Sequence, residues 1–251
     1  MATQVTVDLK GRHLVLGLPA YDGTFPDELM SAVIETISLC RRHGVNVTVA
    51  SRCGSALIDK TRDEIVHAFL HTTDGTDLLF IDSDVVWHPD DVLRLLAWGT
   101  TRDFVCGPYC VKQDDPAFYY DLLPSPEGKI IQDPDGLIEL KSAPGGFNLI
   151  SRHALETMVA EHPELQYVAH RGEFKGKTVS ALSMMYLREN DDGTRSRIGE
   201  DIAFSNRYRA TGMRMWLDPT IELGHIGKKI YRASYTDWVL SRQQPKVEEA
   251  A

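Results

Sequence analysis

The chain has 251 residues, a formal net charge of −9, 43% hydrophobic residues and 25% charged residues. This composition is typical of a globular protein, and the acidic charge disfavours tight electrostatic binding of nucleic acid. No apolar run reaches the ~18 residues that a transmembrane helix needs. The N-terminus lacks the basic start and apolar core of a signal peptide, so we expect a soluble, cytoplasmic protein.

The first half alternates between strand and helix patterns. Predicted helices begin at Pro26, Ile58 and Pro89, the first of them ending at Gly44. Predicted strands cover residues 13–19, 45–49, 77–81 and 104–107. This β-α-β-α-β-α-β order predicts an α/β fold with a mostly parallel sheet flanked by helices.

The second half is less regular. Its predicted elements are a strand at 117–123, a hairpin at 129–140, a glycine-led strand at 144–150, a helix from Ser151 to about Ala160, a helix from Glu200 to Gly212 and a strand at 213–217. Residues 162–197 are polar, and we predict irregular structure there. Because no linker or repeat divides the chain, we expect a single domain over 1–251, with halves at about 12–110 and 111–232 and a flexible tail at 243–251.

The triplet Asp82-Ser83-Asp84 directly follows four apolar residues at 78–81, at the end of a predicted strand. A short all-apolar run is typical of a strand buried on both faces, and ligands bind at the carboxyl ends of such strands. Two carboxylates at that position are suitable oxygen ligands for Mg²⁺ or Mn²⁺. The alternative is a solvated acidic turn.

Four motifs occur in a fixed order: Asp82-Ser83-Asp84, Gly145-Gly146, Gly199-Glu200-Asp201 at a helix start, and Gly224-His225. This order resembles GT-A-fold glycosyltransferases, especially family-2-like enzymes and Anp1-type mannosyltransferases, over roughly residues 12–232. The resemblance implies a GT-A-like, Rossmann-type sheet with a smaller, mixed acceptor-binding half. It also implies transfer of a sugar from a nucleoside-diphosphate sugar to a hydroxyl acceptor, with Mn²⁺ or Mg²⁺ stabilising the diphosphate leaving group.

The resemblance also implies roles for single residues. Asp84 is the expected direct metal ligand, Asp82 a residue that contacts the ribose and approaches the metal, and His225 a further ligand. The alternative for His225 is a structural histidine. From the family pattern, Asp201 is the expected general base, with Glu200 as its alternative, and a helix N-terminus stabilises such a carboxylate. The other alternative is an acidic residue at a helix start with no catalytic task.

The candidate donor-binding residues are Pro19, Tyr21, Asp22, Arg52, Arg62, Asp82, Ser83, Gly145, Gly146, Lys228 and Lys229. Tyr21 and Asp22 are expected at the nucleobase and ribose. Gly145 and Gly146 would allow close backbone approach to the donor sugar or the acceptor. For Arg62 the alternative is a solvated helix residue. Lys228 and Lys229 form a basic loop that is expected to close over the diphosphate, with one of the two lysines solvated instead.

Three other functions compete with this hypothesis. One is a haloacid-dehalogenase-like phosphatase with Asp82 as nucleophile, another is a nucleotidyltransferase, and the third is a non-catalytic sugar-nucleotide-binding module. The acceptor also stays open: a glycan, a lipid-linked sugar, a small molecule or a modified nucleobase in DNA, the last disfavoured by charge. A general base at Asp201 would give inversion of configuration at the anomeric carbon, whereas the Anp1-type resemblance implies retention of that configuration.

Overall fold

The computed structural model describes residues 7–21, 23–123, 130 and 132–243. Three predictions fall partly or wholly outside these residues: the ribose contact Asp22, the first arm of the hairpin at 129–140, and the flexible tail. In the described part of the chain, no helix is long and apolar enough to span a bilayer.

The first half contains the predicted alternation of strands and helices. Its elements are β1 (His13–Ala20), α1 (Asp27–Arg42), β2 (Asn46–Cys53), α2 (Ile58–Thr72), β3 (Asp77–Ile81), β4 (Val85–Val86), α3 (Pro89–Trp98) and β5 (Phe104–Cys106). The helix starts agree with the predictions to within one residue. The two-residue strand β4 was not predicted, because two residues carry no periodicity.

The second half contains more strands than predicted. Its elements are β6 (Asp121–Leu122), β7 (Ile138–Ser142), β8 (Phe147–Ser151), α4 (Arg152–Glu161), β9 (Gln166–Val168), β10 (Thr178–Ser180), β11 (Tyr186–Glu189), β12 (Arg195–Ile198), α5 (Glu200–Ala210), β13 (Met215–Leu217), β14 (Gly224–Ile226), β15 (Ile230–Arg232) and α6 (Tyr235–Gln243). The prediction of irregular structure at 162–197 was wrong, since β9–β10 and β11–β12 form two antiparallel hairpins. Their strands have three or four residues and mostly polar side chains, so they lack the alternation that reveals a strand.

One eight-stranded sheet has the order β2-β1-β3-β8-β5-β13-β7-β6. The strands β1, β2 and β3 are parallel neighbours, and β13 is parallel to β5. The strand β8 lies antiparallel between β3 and β5, and β7 is antiparallel to β13. Among the strands that the structure describes, only β8 and β7 run opposite to the other six of this mixed sheet. The prediction of a mostly parallel α/β sheet is therefore confirmed, and strands from both halves of the chain share it.

Helices cover both faces of this sheet. The residues of α1 and α3 pack in one core cluster with Leu79 and Ile81 of β3, while α2, α4 and α5 pack in the other with Leu78 and Phe80. These four β3 side chains are 0–3% exposed. Because successive strand residues point to opposite faces, the four residues before Asp82 must all be apolar, which explains the run at 78–81.

A buried carboxylate lies on α2 one residue after Arg62. Asp63 is 3% exposed, and its Oδ1 accepts a hydrogen bond from the backbone N–H of Ser183 at 2.7 Å. Burial raises the pKa of Asp63 to about 8. Between pH 4 and pH 8 the folded chain therefore holds a proton that the unfolded chain releases, so this group makes folding less favourable as pH rises.

We expect Asp63→Asn to remove this pH dependence, because the asparagine amide oxygen still accepts from Ser183 and carries no charge. The stability of the variant relative to the natural chain should rise by about 4 kcal/mol between pH 5 and pH 9. Urea unfolding of both proteins at the two pH values measures this difference. An equal pH dependence in both proteins would show that Asp63 is not the titrating group.

Candidate functional site

The chain leaves the sheet in a tight turn directly after β3. The N–H of Val85 donates to the carbonyl of Asp82 at 3.0 Å, which closes the turn around Ser83. The N–H of Asp82 donates to the carbonyl of Gly146 at 3.1 Å and ties the turn to the segment before β8. Asp82 and Asp84 therefore lie at the carboxyl end of β3, at the edge where open α/β sheets bind ligands.

Arg62 on α2 holds Asp82 in place. Its Nη2 donates to Oδ1 of Asp82 at 2.6 Å, and its Nη1 donates to the carbonyl of Gly145 at 3.0 Å. The guanidinium lies over Phe80, 5.4 Å from the ring centre, and the side chain is only 6% exposed. Burial lowers the pKa of Arg62, but the charges of Asp82 and Glu200 raise it by more. Arg62 is therefore a buried, permanently charged partner of Asp82 and not a solvated helix residue.

Gly145 and Gly146 leave room for two side chains. A Cβ on Gly145 would lie 2.6 Å from Cζ of Arg62, and a Cβ on Gly146 would lie 2.7 Å from the hydroxyl oxygen of Tyr109. Any other residue at these positions would have to displace its neighbour. In this structure the glycines accommodate Arg62 and Tyr109, while their approach to a donor sugar or an acceptor stays a prediction.

His225 reaches Asp84 through the pairing of two short strands. The strand β14 is antiparallel to β4, with His225 opposite Val85, and the N–H of Ile226 donates to the carbonyl of Asp84 at 2.7 Å. This register places Nε2 of His225 3.5 Å from Oδ2 of Asp84. The structure thus brings together two residues that are far apart in the sequence.

The orientation of the His225 ring suits a metal ligand. Its Nδ1 donates to the carbonyl of Cys110 at 2.8 Å, so in the neutral ring Nε2 carries the lone pair and faces Asp84. One carboxylate and one imidazole form a donor set that fits Mn²⁺ better than Mg²⁺, which prefers oxygen ligands. Within the described ranges, no three His, Cys, Asp or Glu side chains form a group that could hold a metal ion. The remaining ligands would therefore have to come from substrate or water.

Lys112 also contacts Asp84 and was not predicted as a residue of the site. Its Nζ donates to Oδ2 of Asp84 at 2.5 Å. Burial raises the pKa of Asp84, but the hydrogen bonds and charges of His225 and Lys112 lower it by more, to about 2. Asp84 is therefore ionised at neutral pH. Lys112 follows β5, so the rule that ligands bind at the carboxyl ends of strands was the signal that could have found it.

Glu200 and Asp201 begin α5, after Gly199 as the N-cap. They line a small recess together with Arg62 and Gly145, so the structure brings this acidic pair beside the Arg62–Asp82 pair. Oδ1 of Asp201 accepts from the N–H of Ile202 at 2.7 Å. Burial and the charge of Asp201 raise the pKa of Glu200. A carboxylate with a raised pKa is the stronger proton acceptor, so Glu200 remains the alternative to Asp201 as the general base.

The remaining candidates lie on the first two strands or directly after β1. Pro19 and Arg52 are opposite each other in the register of β1 and β2, and Tyr21 is 72% exposed just after β1. The guanidinium of Arg52 donates to Glu173 at 3.2 Å and lies 5.3 Å from the ring centre of Phe174. In this structure Arg52 therefore contacts Glu173 and Phe174 and neither Asp82 nor Asp84.

Lys228 and Lys229 lie in the turn between β14 and β15, one and two residues beyond Gly227. Lys228 is exposed. Nζ of Lys229 lies 2.5 Å from Oδ1 of Asp114 and 5.2 Å from the ring centre of Tyr231. Lys229 thus pairs with Asp114 in this structure, and contact of either lysine with phosphate stays a prediction.

No protein-family model matches the chain, and no curated protein matches it in sequence. Among solved structures, A197 from STIV is similar, with a TM-score of 0.50 and 19% identity over 85% of each chain. GalNAc-T7, crystallised with UDP, GalNAc and Mn²⁺, has a TM-score of 0.47 and 12% identity, covering 96% of this chain and 46% of that one. A glycosyltransferase involved in the glycosylation of the major capsid of PBCV-1 has a TM-score of 0.33 and 13% identity, covering 56% and 62%. The similarity to A197 shows a shared fold, so the function has to be argued from the residues of the site.

Proposed function

We propose that this protein is a metal-dependent glycosyltransferase that transfers a sugar from a nucleoside-diphosphate sugar to a hydroxyl acceptor. The observation that carries the proposal is the pair of Asp84 and His225 at the carboxyl end of β3, with the imidazole oriented by the carbonyl of Cys110. This pair has donor atoms that suit a divalent ion, and it lies at the sheet edge where open α/β sheets generally bind nucleotides.

The chemistry of transfer explains why such a pair would be needed. The diphosphate leaving group gains negative charge as the glycosidic bond breaks, and a bound divalent ion supplies the compensating positive charge. Asp84 and His225 would hold that ion. Arg62 keeps Asp82 in a single orientation, so Asp82 can present its other oxygen to the ribose or to water.

The acidic pair at the start of α5 supplies the proton acceptor in this proposal. Asp201 is our candidate base for the acceptor hydroxyl, and Glu200 is the alternative, because both line the recess beside Arg62. We keep the acceptor class broad: a glycan, a small molecule or a modified nucleobase. The net charge of −9 makes a DNA acceptor the least favoured of these.

The phosphatase hypothesis is less favoured by the geometry. It requires Asp82 as a free nucleophile, whereas Oδ1 of Asp82 accepts from the buried guanidinium of Arg62 at 2.6 Å. A carboxylate bound to a permanent cation is a weaker nucleophile. The phosphatase hypothesis also leaves the pairing of His225 with Asp84 without a role.

A thermal-shift panel tests the proposal. UDP-, GDP-, CDP- and dTDP-sugars are each added with Mn²⁺ or with EDTA, and the matching nucleoside monophosphates serve as controls. We expect one nucleotide series to raise the melting temperature by about 5–10 °C at ~100 times its Kd, only with Mn²⁺. Stabilisation by none of the four series, or equally by the monophosphates, would contradict the proposal.

A further inference from the structure

The ion pair between Lys112 and Asp84 is easily exchanged. The two side chains are 37% and 39% exposed, and ion pairs in such positions contribute little to stability. A lysine ammonium is a compact charge on a flexible four-carbon stem. It can therefore turn from Asp84 to a more highly charged anion without breaking the fold.

The loop that carries Lys112 is itself firmly attached. The carbonyl of the buried Cys110 accepts from His225 at 2.8 Å, and the N–H of Val111 donates to the carbonyl of Ala117 at 2.9 Å. Next to these two anchors the stem of Lys112 passes over Gly227, where a Cβ would lie 3.2 Å from the lysine Cδ. The anchors hold the stem beside Asp84, so the ammonium end can reorient while the loop stays in place.

A diphosphate that binds beside Asp84 needs a positively charged group, and the Lys112 ammonium can supply it. A diphosphate that approached Asp84 would meet the carboxylates of Asp82 and Asp84, which repel it. The guanidinium of Arg62 is buried and already bound to Asp82, whereas Lys229 pairs with Asp114 and not with Asp84. Lys112 is the half-exposed cation that already touches Asp84.

We propose that Lys112 is the cation that binds the diphosphate in this site: when a nucleoside diphosphate binds, the ammonium leaves Asp84, binds the phosphate oxygens and frees the carboxylate. This inference rests on the proposed function, because it takes the diphosphate to bind beside Asp84. It gives Lys112 the role that the sequence pattern suggested for Lys228 or Lys229.

Calorimetric titration with inorganic pyrophosphate, UDP, GDP, CDP and dTDP tests the proposal, each in Mn²⁺ and again in EDTA. Lys112→Met should weaken the tightest-binding of these probes about 10- to 100-fold, the effect of losing a charged hydrogen bond. Lys10→Met is the matched control, since it removes the same charge from an exposed lysine before β1, at the opposite edge of the sheet, and it should change the affinity less than about twofold. Near-UV circular dichroism checks that both variants fold.

A second variant, Asp84→Asn, should change the affinity for the same probe in the opposite direction. Asp84→Asn removes the anion that competes for the Lys112 ammonium, so in EDTA it should tighten binding of the same probe. The double variant Asp84→Asn/Lys112→Met should lose this gain. A gain that persists without Lys112 would overturn the inference, because it would show that Asp84 merely repels the phosphates.

The failure of this inference differs from the failure of the proposed function. If the natural chain binds one of the five probes and Lys112→Met binds it equally well, Lys112 has no phosphate role and the glycosyltransferase proposal stands. If the natural chain binds none of them, with or without Mn²⁺, both proposals fall.

Discussion

Asp84→Asn is expected to abolish metal-dependent stabilisation by nucleotide sugars and to slow turnover of the donor at least about 100-fold. The substitution keeps the size of the side chain and removes the charge that faces His225 and Lys112. The melting temperature of the ligand-free protein should stay within a few degrees, because a half-exposed ion pair contributes little to stability. Hydrolysis of the nucleotide sugar identified by the thermal-shift panel measures the turnover.

Asp114→Asn is the matched control for this experiment. Asp114 is an 85% exposed carboxylate that pairs with Lys229 in the turn after β14. Its loss changes the net charge by the same amount and should leave the response to Mn²⁺ intact. Full turnover by Asp84→Asn, or an equal loss in both variants, would show that the Asp84–His225 pair is not the metal site.

Gly145→Ala is expected to lower the free energy of unfolding by about 2–4 kcal/mol. The added Cβ would lie 2.6 Å from Cζ of Arg62, so the guanidinium must leave its position. Its displacement breaks the hydrogen bonds to Asp82 and to the carbonyl of Gly145 inside a mostly buried cluster. Chemical denaturation of the variant and the natural chain measures the loss.

A double-mutant cycle shows whether Arg62 is the cause. Arg62→Met removes the planar guanidinium and leaves a flexible side chain that can yield to a methyl group. In that background Gly145→Ala should cost less than about 1 kcal/mol, so the two effects would be strongly non-additive. Simple additivity of the two changes would mean that the alanine acts through the backbone and not through Arg62.

Strand β3 and its turn were accessible from the sequence because their determinants are local. The residues 78–81 are apolar on both faces, since each face packs under helices, and the polarity changes abruptly at Asp82. The starts of α1, α2 and α3 were equally clear, because helical periodicity is a pattern among neighbouring residues. From these local patterns we predicted a mostly parallel α/β sheet, which the structure confirms.

The site around Asp84 was only partly accessible. Asp82, Asp84 and His225 were identified from motif order, but the contact between Asp84 and His225 depends on β4 pairing with β14. A two-residue strand pairs through backbone hydrogen bonds, which carry no signature in the side chains. Lys112 was missed for a related reason: a lysine in a polar loop is ordinary until the fold places a carboxylate beside its ammonium.

The apolar strand, the two aspartates at its end and the neighbouring helices could be predicted from the sequence, because an apolar run and helical periodicity are patterns among near neighbours. Only the folded chain shows that β8 enters the sheet between β3 and β5, that Arg62 is buried against Asp82, and that His225 and Lys112 meet at Asp84. These contacts join segments distant in the chain, and their free energy comes from charge pairing and close packing that exist only once the sheet has formed.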